Sequence, residues 1–144
     1  MTPALTLQRP WGFAIIHLGK DVENRSWPLN RPTRIWVHQG KGMDPNAADD
    51  YAYEEALEGW RQGPEWSKWG HPTQRGVILG SVDVVGCHKG AEDCCESDWA
   101  VDGQWHWQLA NPVPLTEPVP ANGALGLWRP KPELLALLGE ADAA

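Results

Sequence analysis

One stretch limits the fold more than any other. Residues 75–88, RGVILGSVDVVGCH, form the longest apolar strand-like run in the chain. A strand that is apolar on successive residues, not on alternate ones, expects cover on both faces, so this run predicts a central strand. Shorter extended segments are expected at residues 4–7, after Gly19, at 33–38 (TRIWVH), at 105–115 (WHWQLANPVPL, ending in a Pro-rich turn) and at 123–128 (GALGLW). Helices are expected over RPWGFAIIHLG, DPNAADDYAYEEALEGW and PKPELLALLGE. That makes five or six strands with two or three helices and no βαβ alternation. The expected class is α+β, built on a small, mostly antiparallel β-barrel. With 144 residues the chain suits one domain, with a core over about 5–128 and a closing helix and tail over 131–144.

Local signals sharpen these elements. Pro10 suits a first helical position and Gly19 a left-handed stop, with Trp11, Ala14, Ile15 and Leu18 facing the core. In the extended segment that follows, Glu23, Arg25 and Trp27 share one face, and Val22 and Asn24 the other. Ile35 and Val37 face one way in the next strand, Trp36 and His38 the other. Asp44 is the expected cap of the second helix, with Pro45 at its first position and a solvated acidic face. The polar loop RQGPEWSKWGHPTQ reads as a lid or rim.

Composition excludes several classes. The net charge of −7 disfavours sequence-blind binding to nucleic-acid backbones. The charge is uneven: residues 1–41 carry six basic and two acidic groups, and residues 42–144 carry six and seventeen. A local positive site on an acidic body suits a small anionic or polar ligand, or a short piece of nucleic acid. Ten Trp stand against one Phe and two Tyr, a surplus that can supply stacking faces as well as core. Three Cys do not suggest a disulfide framework. No run is long enough for a membrane span, and the start MTPALTLQRPW lacks a signal-peptide pattern, so a cytoplasmic location is expected. Cys87–His88 and Cys94–Cys95 are adjacent pairs, poor geometry for one metal ion, and no metal or other cofactor is expected.

The chemistry concentrates in GKDVENRSW. Arg25 offers a rigid fork of donors, Lys20 a point charge or a base, and Glu23 an acceptor that can hold either. The plainer alternative is a surface ion pair contributing under ~1 kcal/mol. Trp27, Trp36 and His38 lie on the neighbouring strands, where one aromatic wall would suit a flat base. Lys41 sits among glycines. Ser97 opens a helical turn beside Trp99, either capping it or touching a ligand.

The ordered blocks PWGFAI, GKDVENRSW, RIWVHQGK, GVILGSVDVVGCH, SDWA, WHWQL and PVPANGALGLW resemble an ASCH domain, a member of the PUA-like superfold, over about Leu5 to Trp128. The likeness is to the stand-alone bacterial and phage type. Lys20, Glu23 and Arg25 take the Lys, Glu and Arg places of the signature Gly-x-Lys-x-x-Glu-x-Arg, while the glycine falls one residue late, at Gly19. The resemblance implies a PUA-like barrel with a cleft between barrel and helices. It implies binding of RNA or other nucleic acid in that cleft, and the expected function is a module for RNA or other single-stranded nucleic acid that reads a single plain or modified base. Ligand contacts are then expected from Lys20, Glu23, Arg25, Trp27, Trp36, His38, Lys41, Ser97 and Trp99. Some relatives deacylate acylated cytidine nucleosides with a Thr three residues after the Lys, and one line is reported to cut RNA. Glu23 stands in the place of that Thr. An enzyme reading would therefore make Lys20 a base or oxyanion donor and Glu23 the base for a water. A third reading is a protein-interaction module docking through the Trp residues of PEWSKWGHP.

Overall fold

The computed structural model describes residues 2–66, 68, 71–90 and 96–143, the last four as backbone only. In chain order the elements are β1 (Ala4–Arg9), α1 (Trp11–His17), β2 (Val22–Arg25), β3 (Thr33–Met43), a 3-10 turn (Ala47–Asp49), α2 (Tyr51–Arg61), β4 (Val77–Lys89), β5 (Trp105–Pro120), β6 (Leu127–Trp128) and α3 (Pro132–Ala143). This is an α+β fold with one six-stranded sheet in the order β2-β5-β4-β3-β1-β6. The sheet is mixed: β1 and β3 run parallel, and every other neighbouring pair is antiparallel.

The apolar run became β4, between β3 and β5, as its pattern predicts. Val77, Leu79, Val82 and Val84 join the cluster beneath α1, while Ile78 joins a second cluster beneath α3. Cover on both faces is why the run reads as continuously apolar. The buried set changes from odd to even positions between Leu79 and Val82, where the β4–β5 register shifts. Such shifts bend and twist the sheet. A Cβ at Gly80 would run into the Val113 carbonyl there, so only glycine admits β5 this closely.

Several expectations are corrected. The sheet is open: among the described residues no ladder joins its edge strands, β2 and β6, so it does not close into a barrel. These edges span four and two residues, too short to stitch a closure. The strand β5 does not end at its prolines but continues to Pro120. Beyond Gln108 it has lost β2 as a neighbour, and prolines are tolerated on such a free edge. The strand β3 runs on through the glycines to Met43, because β1 stays paired with it as far as Arg9↔Met43. Pro10 is the N-cap of α1, not its first residue. That helix buries Phe13 and Ile16 as well as Ala14 and Ile15, since it is covered by the sheet on one side and α2 on the other. Asp44 does not cap α2; Asp50 does, accepting from Tyr53 N at 2.9 Å. A face of α2 carrying Tyr53 and Leu57 is buried against Ala14. No described helix is long and apolar enough to cross a membrane.

Candidate functional site

The end of α1 builds the site. Gly19 adopts φ +76°, the left-handed region that favours glycine. The Ala14 carbonyl accepts from both Leu18 N at 3.0 Å and Lys20 N at 3.1 Å, so the chain turns back over the helix end. That reversal sends the Lys20 side chain inward. Its Nζ lies 5.0 Å from the Trp11 ring centroid and 5.4 Å from that of Trp99. Lys20 is 6% exposed and Glu23 6%. Lys20 Nζ stands 4.0 Å from Glu23 Oε1, and the Arg25 guanidinium donates to Glu23 Oε2 at 3.3 Å. The Lys20 ammonium makes no hydrogen bond among the described residues. Glu23 and Arg25 therefore share a face of β2, as strand alternation predicts.

The surroundings fix this group. Asn24 Nδ2 donates to the Trp99 carbonyl at 2.9 Å, and its Oδ1 accepts from Val101 N at 2.8 Å, fastening the segment 99–101 over the cleft. Asp44 accepts from Trp11 Nε1 at 2.9 Å and from Asn46 N at 2.9 Å. Trp11 and Trp99 thus stand as two fixed walls with Lys20 between them. The cleft holds about 580 Å³, within the range of small-molecule sites. Its liners include Lys20 and Arg25 with Glu23, Asp44 and Asp50. Two of these three carboxylates already serve backbone or indole donors, leaving Glu23 to face the two cations.

Burial drives both central groups toward neutrality. Loss of water pushes the Lys20 ammonium below its ordinary value, opposed by Glu23, Asp50 and Asp21. The same loss pushes the Glu23 carboxyl above its ordinary value, opposed by Lys20 and Arg25. Two groups displaced toward each other are suited to exchanging a proton with a ligand.

Four of the nine expected ligand residues line this cleft: Lys20, Glu23, Arg25 and Trp99. Trp27 does not. It packs edge-on against Trp107 at 4.8 Å and carries the Arg25 guanidinium on its ring at 5.7 Å, so it supports the site from behind. Ser97 caps its turn, accepting from Trp99 N at 3.1 Å and donating to Asp21. Trp36, His38 and Lys41 lie elsewhere. Trp36 packs on the α3-side cluster. His38 is buried, pairs with Thr6 Oγ1 at 3.0 Å and donates from Nε2 to the Ala121 carbonyl at 2.8 Å. Lys41 and His38 line a separate cleft of about 460 Å³. The alternation of β3 put Trp36 and His38 on one shared face correctly, but that face is turned away from Lys20. Residues that sequence reasoning missed as liners include Trp11, which packs against the core as expected and also borders the cleft, and Asp50; they stand at the N-terminal ends of α1 and α2, which tertiary packing brings to the cleft.

No family model matches the chain, and no curated protein matches it.

Other expectations resolve as follows. The described part of the loop 61–74 does not line the cleft. Its Pro72 and Gln74 carbonyls accept from Gln39 Nε2 at 3.0 and 2.7 Å, pinning it to β3 instead. Trp66 there is 56% exposed, and Trp69 lies outside the described residues. Cys87 Sγ accepts from Leu29 N at 3.4 Å. Cys94 and Cys95 lie outside the described residues. Among the described residues no three His, Cys, Asp or Glu side chains gather as metal ligands do.

Proposed function

We propose that this protein is a binding module that reads a single base of RNA or other single-stranded nucleic acid in the Lys20 cleft. The observation that carries the reading is Lys20 itself. An ammonium this buried, between two indoles and without a hydrogen bond among the described residues, calls for an acceptor from a ligand. Glu23 beside it accepts from a donor, so the pair matches a base edge that offers both. Trp11 and Trp99 supply apolar walls for a flat ring. The described liners carry two positive and three negative groups, a poor cradle for phosphate and a good one for a near-neutral ring. The ordered sequence blocks support an ASCH-type domain, and a small α+β sheet bent by several register shifts is compatible with an incompletely closed PUA-like barrel.

A second reading, hydrolysis of an acylated nucleoside, is favoured by one observation: Lys20 and Glu23 are displaced toward neutrality in opposite senses. In that reaction Glu23 takes a proton from water. The resulting hydroxide attacks the acyl carbon while Lys20 donates to the oxyanion; the acyl C–N bond then breaks and Glu23 returns its proton to the departing amine nitrogen.

The test is a tryptophan-fluorescence titration at ~0.1 M salt, where exposed charges are largely screened, using the four ribonucleosides, acylated cytidines and short single-stranded RNA. Saturable quenching by a nucleoside, weakened at least tenfold in Lys20→Met, is expected. Equal binding by Lys20→Met would overturn the reading. Conversion of an acylated cytidine, followed by chromatography and lost in Glu23→Gln, would move the assignment to the enzyme.

A further inference from the structure

Outside the Lys20 cleft this acidic chain gathers basic side chains. Three further clefts, of about 460, 540 and 400 Å³, are lined by Lys41, by Arg129 with Lys131, and by Arg31 with Arg129. Against these four cations the described liners include one acid, Glu133, although the chain as a whole has nineteen acidic residues to twelve basic. All four side chains are exposed, and none joins an ion pair among the described residues. The clefts are contiguous. Thr6 lines both the Lys20 cleft and the Lys41 cleft. The segment 121–124 lines both the Lys41 cleft and the Arg129/Lys131 cleft, and Arg129 is shared with the last.

We infer that this chain of clefts is a track for the phosphodiester backbone of a single-stranded nucleic acid whose base enters the Lys20 cleft. The inference rests on the base-reading function and extends it: the ligand is an oligonucleotide of several residues, not a free nucleoside. Four cations with no ion pair among the described residues, spread along these clefts, neutralise successive phosphates. Between them stand Leu125, 98% exposed, and the half-buried Trp128, apolar surfaces on which bases stack. A duplex would leave those surfaces unused, since its bases are already stacked. A bilayer would meet only outward surface, whereas these cations line clefts that share residues with one another and, through Thr6, with the base site.

The experiment uses the full chain and the variant Arg129→Glu/Lys131→Glu, whose positions are exposed and outside the Lys20 cleft. A fluorescein-labelled random RNA of about 12 nucleotides is titrated by anisotropy between about 50 and 200 mM KCl, and the four ribonucleosides are titrated by calorimetry. Neutralising up to about four phosphates predicts a log–log salt slope no steeper than about −3. The expected result is RNA binding tighter than any nucleoside, weakened at least ~tenfold with a shallower slope in the variant, and nucleoside affinity unchanged. Variant binding equal to wild type, or wild-type RNA binding no tighter than a nucleoside, overturns the track. So does capture by phosphatidylserine vesicles, lost in the variant, with RNA unaffected. Lys20→Met separates the two ideas: if it leaves nucleoside and RNA binding intact while the track variant weakens RNA, base reading falls and the track stands.

Discussion

Lys20 is held where folding alone gains nothing from it. Placing an ammonium and a carboxylate out of water costs several kcal/mol each, and their separation of 4.0 Å recovers only part of that. The double variant Lys20→Met/Glu23→Gln removes both charges at nearly constant volume. It is expected to leave stability unchanged or raise it by roughly 1–4 kcal/mol in urea unfolding, while ligand binding is lost. A loss of stability would mean that the pair is structural. The pH dependence follows from the same burial. Glu23 titrates above its ordinary 4.5 when folded, so the native state holds the extra proton above that value and stability falls as pH rises through the folded value. Lys20 titrates below its ordinary 10.5, so the unfolded state holds the extra proton in the alkaline window and stability climbs toward 10.5. His17 acts on the acid side. Burial lowers it from 6.5 to about 4, so the unfolded state binds the proton first, and stability is lost as pH falls from 6.5 to about 4. In His17→Gln the urea midpoint should fall less steeply over that interval. An unchanged slope would assign the acid limb to other groups.

At the scale of elements, the turn after α1 decides the site. Gly19 holds a positive φ with open space around it, so Gly19→Ala meets no neighbour and costs backbone energy alone, about 1–2 kcal/mol. Ligand affinity should drop by more than that stability loss explains, because the reversal aims Lys20. Calorimetric binding at a temperature where the variant is fully folded checks this, and intact affinity would show that Lys20 finds its place without the turn. The helix stop at Gly19 and the shared face of Glu23 and Arg25 were legible in GKDVENRSW. The cap of α2 was not. Asp44 and Asp50 are both plausible caps by composition. Asp44 is instead claimed by Trp11 Nε1 across 33 residues, a partner no local pattern reveals.

For the molecule as a whole, α3 closes the face of the sheet opposite α1. Leu138 is 1% exposed and packs on Ile78, Leu115 and Val119. Leu138→Ala should cost about 2–5 kcal/mol, read as a shift in the urea midpoint. Neither Leu138 nor the core residues it packs on line the Lys20 cleft, so nucleoside affinity measured under folding conditions should be unchanged. An affinity loss would show that this core and the cleft are coupled.

The sequence alone determined what local forces decide. It set the apolar continuity that makes β4 central, the glycine stop, the alternation of β2 and β3, and the apolar closing helix. Tertiary structure alone decided how far elements extend and what meets across the chain. Proline-bearing β5 continues because β2 ends beside it, and the sheet stays open because its edges are short. His38 and Lys41 belong to a different cleft from Lys20, because His38 packs against Thr6 and the Ala121 carbonyl, partners brought in from distant segments. Trp11 and Trp99, 88 positions apart, come to enclose one buried ammonium because Asp44 accepts from the Trp11 indole and Asn24 donates to the Trp99 carbonyl, long-range bonds that hydrophobic pattern does not encode.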